Sequence, residues 1–236
     1  MTITSPQNEQ LKEVRKLAGR KWRDKLRQFV AEGEDLLDAA DAAGWTPLTR
    51  LVAEDSGLEG EAVKPHLLAQ ISQLGSGTRA IGVYAQRWAS EPTGPLCLAL
   101  WGVNDPGNVG TALRSALAFG AASVALGPGT ADPYGHKAVR ASMGALFSVP
   151  LARVRGVAEL PGRTVALVAG QGVPLPALEG DEPRTFVIGA EREGLPANVV
   201  AACDEVAHIP IAFESLNAAM AGTVALYEAA TRIRRA

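Results

Sequence analysis

Residues 104–114 read Asn104-Asp105-Pro106-Gly107-Asn108-Val109-Gly110-Thr111-Ala112-Leu113-Arg114, and this stretch decides the fold. The apolar run Leu96–Trp101 before it reads as a buried strand. The small residues after it, to about Phe119, read as a helix. Pro106 and Gly107 make the turn between them, with Asn108 as the candidate N-cap. Arg114 then lies almost two turns into the helix, near an asparagine-lined strand end, and such ends are where open α/β sheets bind ligands. Taken alone, the segment is equally a plain strand–turn–helix whose arginine pairs with a surface carboxylate.

Working outward, short apolar strands are expected at Leu96–Gly102, Ser123–Leu126, Ser148–Ala152, Thr164–Ala169, Thr185–Gly189 and Glu205–Ile211, most of them separated by helical segments. That alternation predicts a parallel sheet covered on both faces. Upstream, a basic helix over Asn8–Arg20 precedes a short strand at Gln28–Ala31. A helix at Glu34–Ala43, closed by Gly44, leads to a strand near Leu48–Ala53. A helix over Pro65–Leu74 and a strand at Arg79–Gln86 complete a small α/β unit. Ser90-Glu91-Pro92-Thr93-Gly94-Pro95 reads as the linker, dividing the chain into domains 1–92 and 93–236.

The chain has 236 residues, 47% hydrophobic, with a net charge of only −2. The charge is unevenly spread, however. Residues 1–30 hold eight of the 23 basic side chains (Lys12, Arg15, Lys16, Arg20, Lys21, Arg23, Lys25, Arg27) and three of the 25 acidic ones. Such a cationic segment can hold phosphates although the whole chain is mildly acidic; a solvated basic helix without a partner would look the same. Cys97 and Cys203 sit among apolar residues and read as buried thiols of a reducing compartment. The scattered His66, His136 and His208 predict no metal site. No run of about 18 apolar residues suggests a membrane span, and a cytoplasmic protein is expected.

Two later segments narrow the function. Thr185-Phe186-Val187-Ile188-Gly189-Ala190-Glu191-Arg192-Glu193-Gly194-Leu195-Pro196 is a β-branched strand ending in a Gly/Glu-rich turn, and Ile209-Pro210-Ile211 leads to Ser215-Leu216-Asn217, which opens the last helix. With residues 104–114, these stretches in this order resemble the three motifs of the SpoU (TrmH) family, a branch of the SPOUT superfamily. Its members are RNA ribose 2′-O-methyltransferases that use S-adenosyl-L-methionine. The resemblance covers roughly residues 94–236, and it implies a carboxy-terminal parallel-sheet domain with a trefoil knot, one of the few exceptions to unknotted topology. Residues 27–37, Arg27-Gln28-Phe29-Val30-Ala31-Glu32-Gly33-Glu34-Asp35-Leu36-Leu37, are similar to the start of the substrate-binding domain that many SpoU enzymes carry. That implies a small α/β RNA-recognition domain ahead of the catalytic one.

The resemblance also implies roles. Gly189, Ile209 and Leu216 match the family's cofactor contacts, and the strand end at Val168, Ala169 and Gly170 is expected to add backbone contacts. A glycine at 189 would let backbone approach the cofactor closely. Arg114 matches the arginine thought to contact substrate phosphate and help deprotonate the 2′-hydroxyl. A guanidinium with a pKa above about 12 is a poor base at neutral pH, so the electrostatic role is favoured, its fork matching phosphate oxygens. Asn108 either orients the ribose or caps its helix. Glu191 is expected to order its loop or Arg114, while Ser215 and Asn217 are expected in the site or as caps. Lys137 and Arg140, three apart on a helix, join Lys12, Arg15, Lys16, Arg20, Lys21 and Arg23 as candidate RNA contacts.

Two departures from the family pattern stand out. The loop between Ile209 and Ser215 is about two residues shorter than in many members, with Phe213 and Glu214 in it, and Arg192 replaces a smaller residue. What the resemblance implies is methylation of a ribose 2′-hydroxyl in ribosomal RNA, with transfer RNA second, by a homodimer. The rival is an RNA-binding protein that keeps the fold without holding cofactor. The absent G-x-G-x-x-G and P-loop patterns disfavour a Rossmann oxidoreductase.

Overall fold

A computed structural model describes residues 2–75, 77–180, 182–212 and 214–233. In chain order its helices and strands are α1 (Glu9–Leu17), α2 (Arg20–Leu26), β1 (Gln28–Glu32), α3 (Glu34–Ala42), β2 (Thr49–Ala53), β3 (Glu61–Val63), α4 (Pro65–Ile71), β4 (Ala80–Ala85), β5 (Leu96–Leu100), α5 (Pro106–Ala118), β6 (Ser123–Leu126), α6 (His136–Ala141), β7 (Leu151–Arg153), β8 (Arg163–Leu167), β9 (Val173–Pro174), β10 (Arg184–Ile188), α7 (Ala197–Ala202), β11 (Glu205–His208) and α8 (Ala218–Ile233). They form two compact units. The first takes residues up to 86 together with 132–147, and the second takes 87–131 and the rest.

The first unit is a four-stranded sheet in the order β1-β4-β2-β3, antiparallel except for the β2–β3 pair. The expected single helix over Asn8–Arg20 is two helices broken at Gly19. Asn8 caps the first by accepting from Gln10 N and Leu11 N, and its Leu11, Val14 and Leu17 join one core with Val30, Leu51 and Ile81. Alternation in β1 sends Phe29 to the other face. There it meets Trp45, Tyr84, Tyr134 and Phe147 at ring separations of 4.7–6.0 Å. Tyr134 and Phe147 come from the stretch between β6 and β7, so residues distant in sequence complete this core. The Trp45 Nε1–H donates to the Phe147 carbonyl at 2.7 Å, and the Arg23 Nε–H donates to Asp132 Oδ2 at 2.9 Å.

The second unit is a seven-stranded sheet, β7-β6-β5-β10-β8-β11-β9, in which every pair is parallel. The central strands β5, β6 and β10 are buried along their whole length, as expected for strands covered on both faces. All strand carboxyl ends therefore lie along one edge. Helices α5 and α8 pack together, joined by a 2.6 Å hydrogen bond between the Ser115 and Thr223 hydroxyls. The stretch 90–95, read as the linker, is anchored in this unit. Thr93 N donates to Ser123 Oγ at 2.8 Å, and a Cβ on Gly94 would lie 2.0 Å from the Ala122 Cβ.

Candidate active site

Local chemistry sets each motif in place. The first opens α5, but the expected cap is corrected. Asp105, not Asn108, caps the helix, its carboxylate accepting from Gly107 N at 2.6 Å with Pro106 as the first helical residue. Proline suits that position because its missing N–H would have no partner there. Asn108 is thereby released from capping. Its Nδ2 donates to Glu191 Oε1 at 2.5 Å, and its Oδ1 accepts from Asn217 Nδ2 at 3.0 Å.

The third motif is corrected in the same way. Helix α8 starts at Ala218, two residues beyond Leu216, and Asn217 rather than Ser215 caps it by accepting from Ala219 N and Met220 N at 2.9 and 3.3 Å. One hydrogen-bonded chain, Glu191–Asn108–Asn217, thus carries one residue from each motif.

In the second motif, residues 190–194 fold into a tight turn closed by the Ala190–Gly194 backbone bridge. A Cβ at Gly189 would fall 2.2 Å from the Gly194 carbonyl carbon and 2.4 Å from Leu195 N. The glycine is therefore required by the turn packed against it. This reason stands beside the expected one, room for a cofactor's approach.

A cleft of about 300 Å³ opens at the strand ends of β8 and β10, within the size range of small-molecule sites. Val168, Ala169, Gly189, Ile209 and Leu216 all line it, together with Glu191 and Ser215. Gly170 lines an adjoining hollow with Ala169, His208 and Ile209. Phe213 lies outside the described residues. Several lining residues were not among the expected contacts: Leu167 looks like an ordinary strand end and Ala218 and Ala221 like ordinary helix residues, while Ile188, Arg192 and Glu193 stood in the second motif without an assigned role. Apolar side chains line much of it, and Glu191 and Glu193 bring two carboxylates against the one guanidinium of Arg192, a lining that accommodates an apolar body bearing a positive charge.

Arg114 does not line this cleft. It is exposed on α5 and pairs with no carboxylate among the described residues. Both thiols are held protonated by burial, which pushes Cys97 and Cys203 up, so neither is primed as a nucleophile.

The candidate RNA contacts divide. Arg23 is removed from the set: it is buried, and its guanidinium is consumed by Asp132 and by the Leu17 and Ala18 carbonyls at 2.9 and 2.7 Å. Lys12 lies 2.8 Å from Glu9, Arg15 donates to the Pro6 carbonyl, and Arg20 lies 3.6 Å from Asp24. Lys16 and Lys21 are exposed, as are Lys137 and Arg140 on α6, a helix of the same first unit.

Residues 95–227 match the SpoU rRNA Methylase family, and residues 8–84 match an MRM3-like substrate binding domain. Over 95% of this chain and 97% of the relative, the sequence is 27% identical to the Bacillus subtilis 23S rRNA (guanosine(2553)-2′-O)-methyltransferase RlmP. An uncharacterized tRNA/rRNA methyltransferase of Synechocystis is 30% identical over 97% of this chain and 93% of its own. Among solved structures, an AdoMet-bound rRNA methyltransferase from Sinorhizobium meliloti superposes with a TM-score of 0.89 at 30% identity, covering 99% of this chain and 98% of that one. The SpoU methyltransferase AviRb from Streptomyces viridochromogenes, with AdoMet, gives 0.83 at 25% identity over 97% and 99%.

Proposed function

Because the chain belongs to the SpoU rRNA methylase family, we propose that it methylates a ribose 2′-hydroxyl of ribosomal RNA in the cytoplasm. The observation that carries this reading is the Glu191–Asn108–Asn217 chain, which holds the three motifs together beside the cleft. S-adenosyl-L-methionine supplies the electrophilic methyl group when bound. Leu167, Ile188, Ile209 and Leu216 would hold its apolar body, with backbone of Val168, Ala169 and Gly170 beside it. Glu191 and Glu193 favour its positive charge.

Asn108, Asn217 and Glu191 act as positioning residues, fixing the three loops at one spacing, and Ser215 stands at the cleft for a sugar hydroxyl. Arg114 holds the phosphate beside the reacting ribose by paired N–H bonds, and the hydroxyl proton leaves to water. Exposed cations of the first unit, Lys16 and Lys21 with Lys137 and Arg140, anchor the RNA backbone. The third-motif segment is taken as threaded to form the trefoil knot of the family.

The same reading makes the protein a homodimer. Met220, Val224 and Tyr227 form an i, i+4, i+7 apolar stripe on α8 that is 49%, 36% and 55% exposed, and Leu117 on the neighbouring α5 is 48% exposed. Arg114 lies one turn before Leu117, so pairing through this face would place it at the subunit boundary. Changing Val224 to Arg should yield a monomer in sedimentation.

Calorimetry with S-adenosyl-L-methionine and transfer of its labelled methyl group to ribosomal RNA test the function. Wild-type protein should bind and transfer, whereas Arg114→Ala should bind and fail to transfer. Absent cofactor binding would leave an RNA-binding module, and full transfer by Arg114→Ala would overturn the role given to that residue.

A further inference from the structure

Helix α2 is inside out. Of its seven residues, Arg20 to Leu26, only Arg23 is buried, while its two large apolar side chains, Trp22 and Leu26, are 36% and 37% exposed. They stand one turn apart on the same helix face. A buried arginine in place of a buried tryptophan costs desolvation, and here Asp132 and two carbonyls offset it. The arginine thus does the packing, and the indole is left at the surface.

Cations surround that indole. The Lys16 and Lys25 ammonium groups lie 5.5 and 5.2 Å from its ring centre, within reach of the ring quadrupole. Lys21 and Arg27 are exposed beside it in sequence, and Asp24 faces Arg20 at 3.6 Å. A flat aromatic ring set among flexible positive side chains is the arrangement by which proteins take unpaired nucleotides. The ring stacks on a base and the cations take the flanking phosphates. A base paired inside a duplex cannot offer its face without leaving its stack.

We infer that Trp22 is a stacking platform for an unpaired base of the RNA substrate, with Lys16 and Lys25 moving from the ring to the adjoining phosphates. This rests on the reading of the chain as an RNA-directed enzyme, and it adds that the first unit selects RNA that carries a single-stranded nucleotide.

The test uses the full-length protein with two probes, a single-stranded oligouridylate and a blunt RNA duplex of equal length. Trp22→Ala should lose about tenfold in affinity for the single strand, the loss expected for one base stack. Its affinity for the duplex should stay unchanged, and so should the slope of affinity against salt, since no phosphate contact is removed. Trp22→Phe should keep most of the affinity yet lose the indole fluorescence quenching that the oligouridylate causes in the wild type. Equal affinities of wild type and Trp22→Ala for the single strand would overturn the platform, as would a matching loss on the duplex. Methyl transfer by the wild type to ribosomal RNA is read separately. Its absence counts against the enzymatic reading and leaves the stacking result to stand on its own.

Discussion

The side-chain amide of Asn217 donates to that of Asn108 at 3.0 Å across 109 residues of sequence. Each asparagine has a second duty, Asn217 as the cap of α8 and Asn108 as the donor to Glu191. The loop before α8 is therefore fixed by the same amide that starts the helix. Asn217→Ala removes both functions at once. It should cost about 1 kcal/mol for the cap alone, lowering Tm by about 2–4 °C for a chain of this size, and it should reduce kcat more than the melting shift would suggest. Thermal melting beside steady-state methyl transfer checks this; a variant with a lower Tm and full kcat would refute the positioning role.

Gly189→Ala should abolish cofactor binding while leaving the sheet folded. The added methyl would stand 2.2 Å from backbone of the 190–194 turn, and backbone cannot swing aside as a side-chain tip can. The turn must shift, carrying Glu191 and Glu193 with it. Calorimetry with S-adenosyl-L-methionine reads the effect, and wild-type affinity would show that the turn moves without cost.

Arg114→Lys keeps the charge but loses the planar fork. Methyl transfer should fall about tenfold, the size of one lost charge-assisted hydrogen bond, with cofactor affinity unaltered. An unchanged rate would mean that a point charge suffices.

Arg23 and Lys21 differ by two positions and should behave oppositely. Arg23→Ala strands Asp132 and should destabilise the fold by about 3–5 kcal/mol. Lys21→Ala should leave stability alone and lower the salt dependence of RNA binding by about one phosphate contact. Urea unfolding and salt titrations separate the two, and equal effects on stability would contradict the buried role.

Acid should weaken the first unit through His136. Burial holds its imidazole below the ordinary value near 6.5, and Arg140 pushes the same way, against the attraction of Glu32 with its Oε1 3.6 Å from Nε2. As pH falls through about 6.5 the unfolded chain takes up a proton that the folded chain still refuses. Stability is then lost until the folded group also protonates. His136→Gln should flatten this limb in urea unfolding measured between about pH 7 and pH 5; an unaltered limb would place the titration elsewhere.

The parallel sheet was legible because its central strands are apolar runs, and the site because each motif puts small or polar residues at a strand end. What escaped has physical causes. Strands β3 and β9 are only three and two residues long, too short for a period to register. The caps moved because Asp105 precedes a proline that takes the first helical position, and because the last helix begins at Ala218, which puts Asn217 and not Ser215 next to its free N–H groups. Arg23 defied the default that arginines face water, since its partner Asp132 lies 109 residues away. The need for Gly189 came from a neighbouring turn that only the folded backbone displays.

The sharing of residues 132–147 has a consequence for how this protein is made. Tyr134 and Phe147 pack on Phe29, so a ribosome that has released only the leading 90 residues has produced a globule lacking part of its aromatic filling. A single cut near residue 90 therefore separates the leading piece from two of the rings that fill it. Made alone, the leading piece would leave Phe29, Trp45 and Tyr84 without those two ring partners.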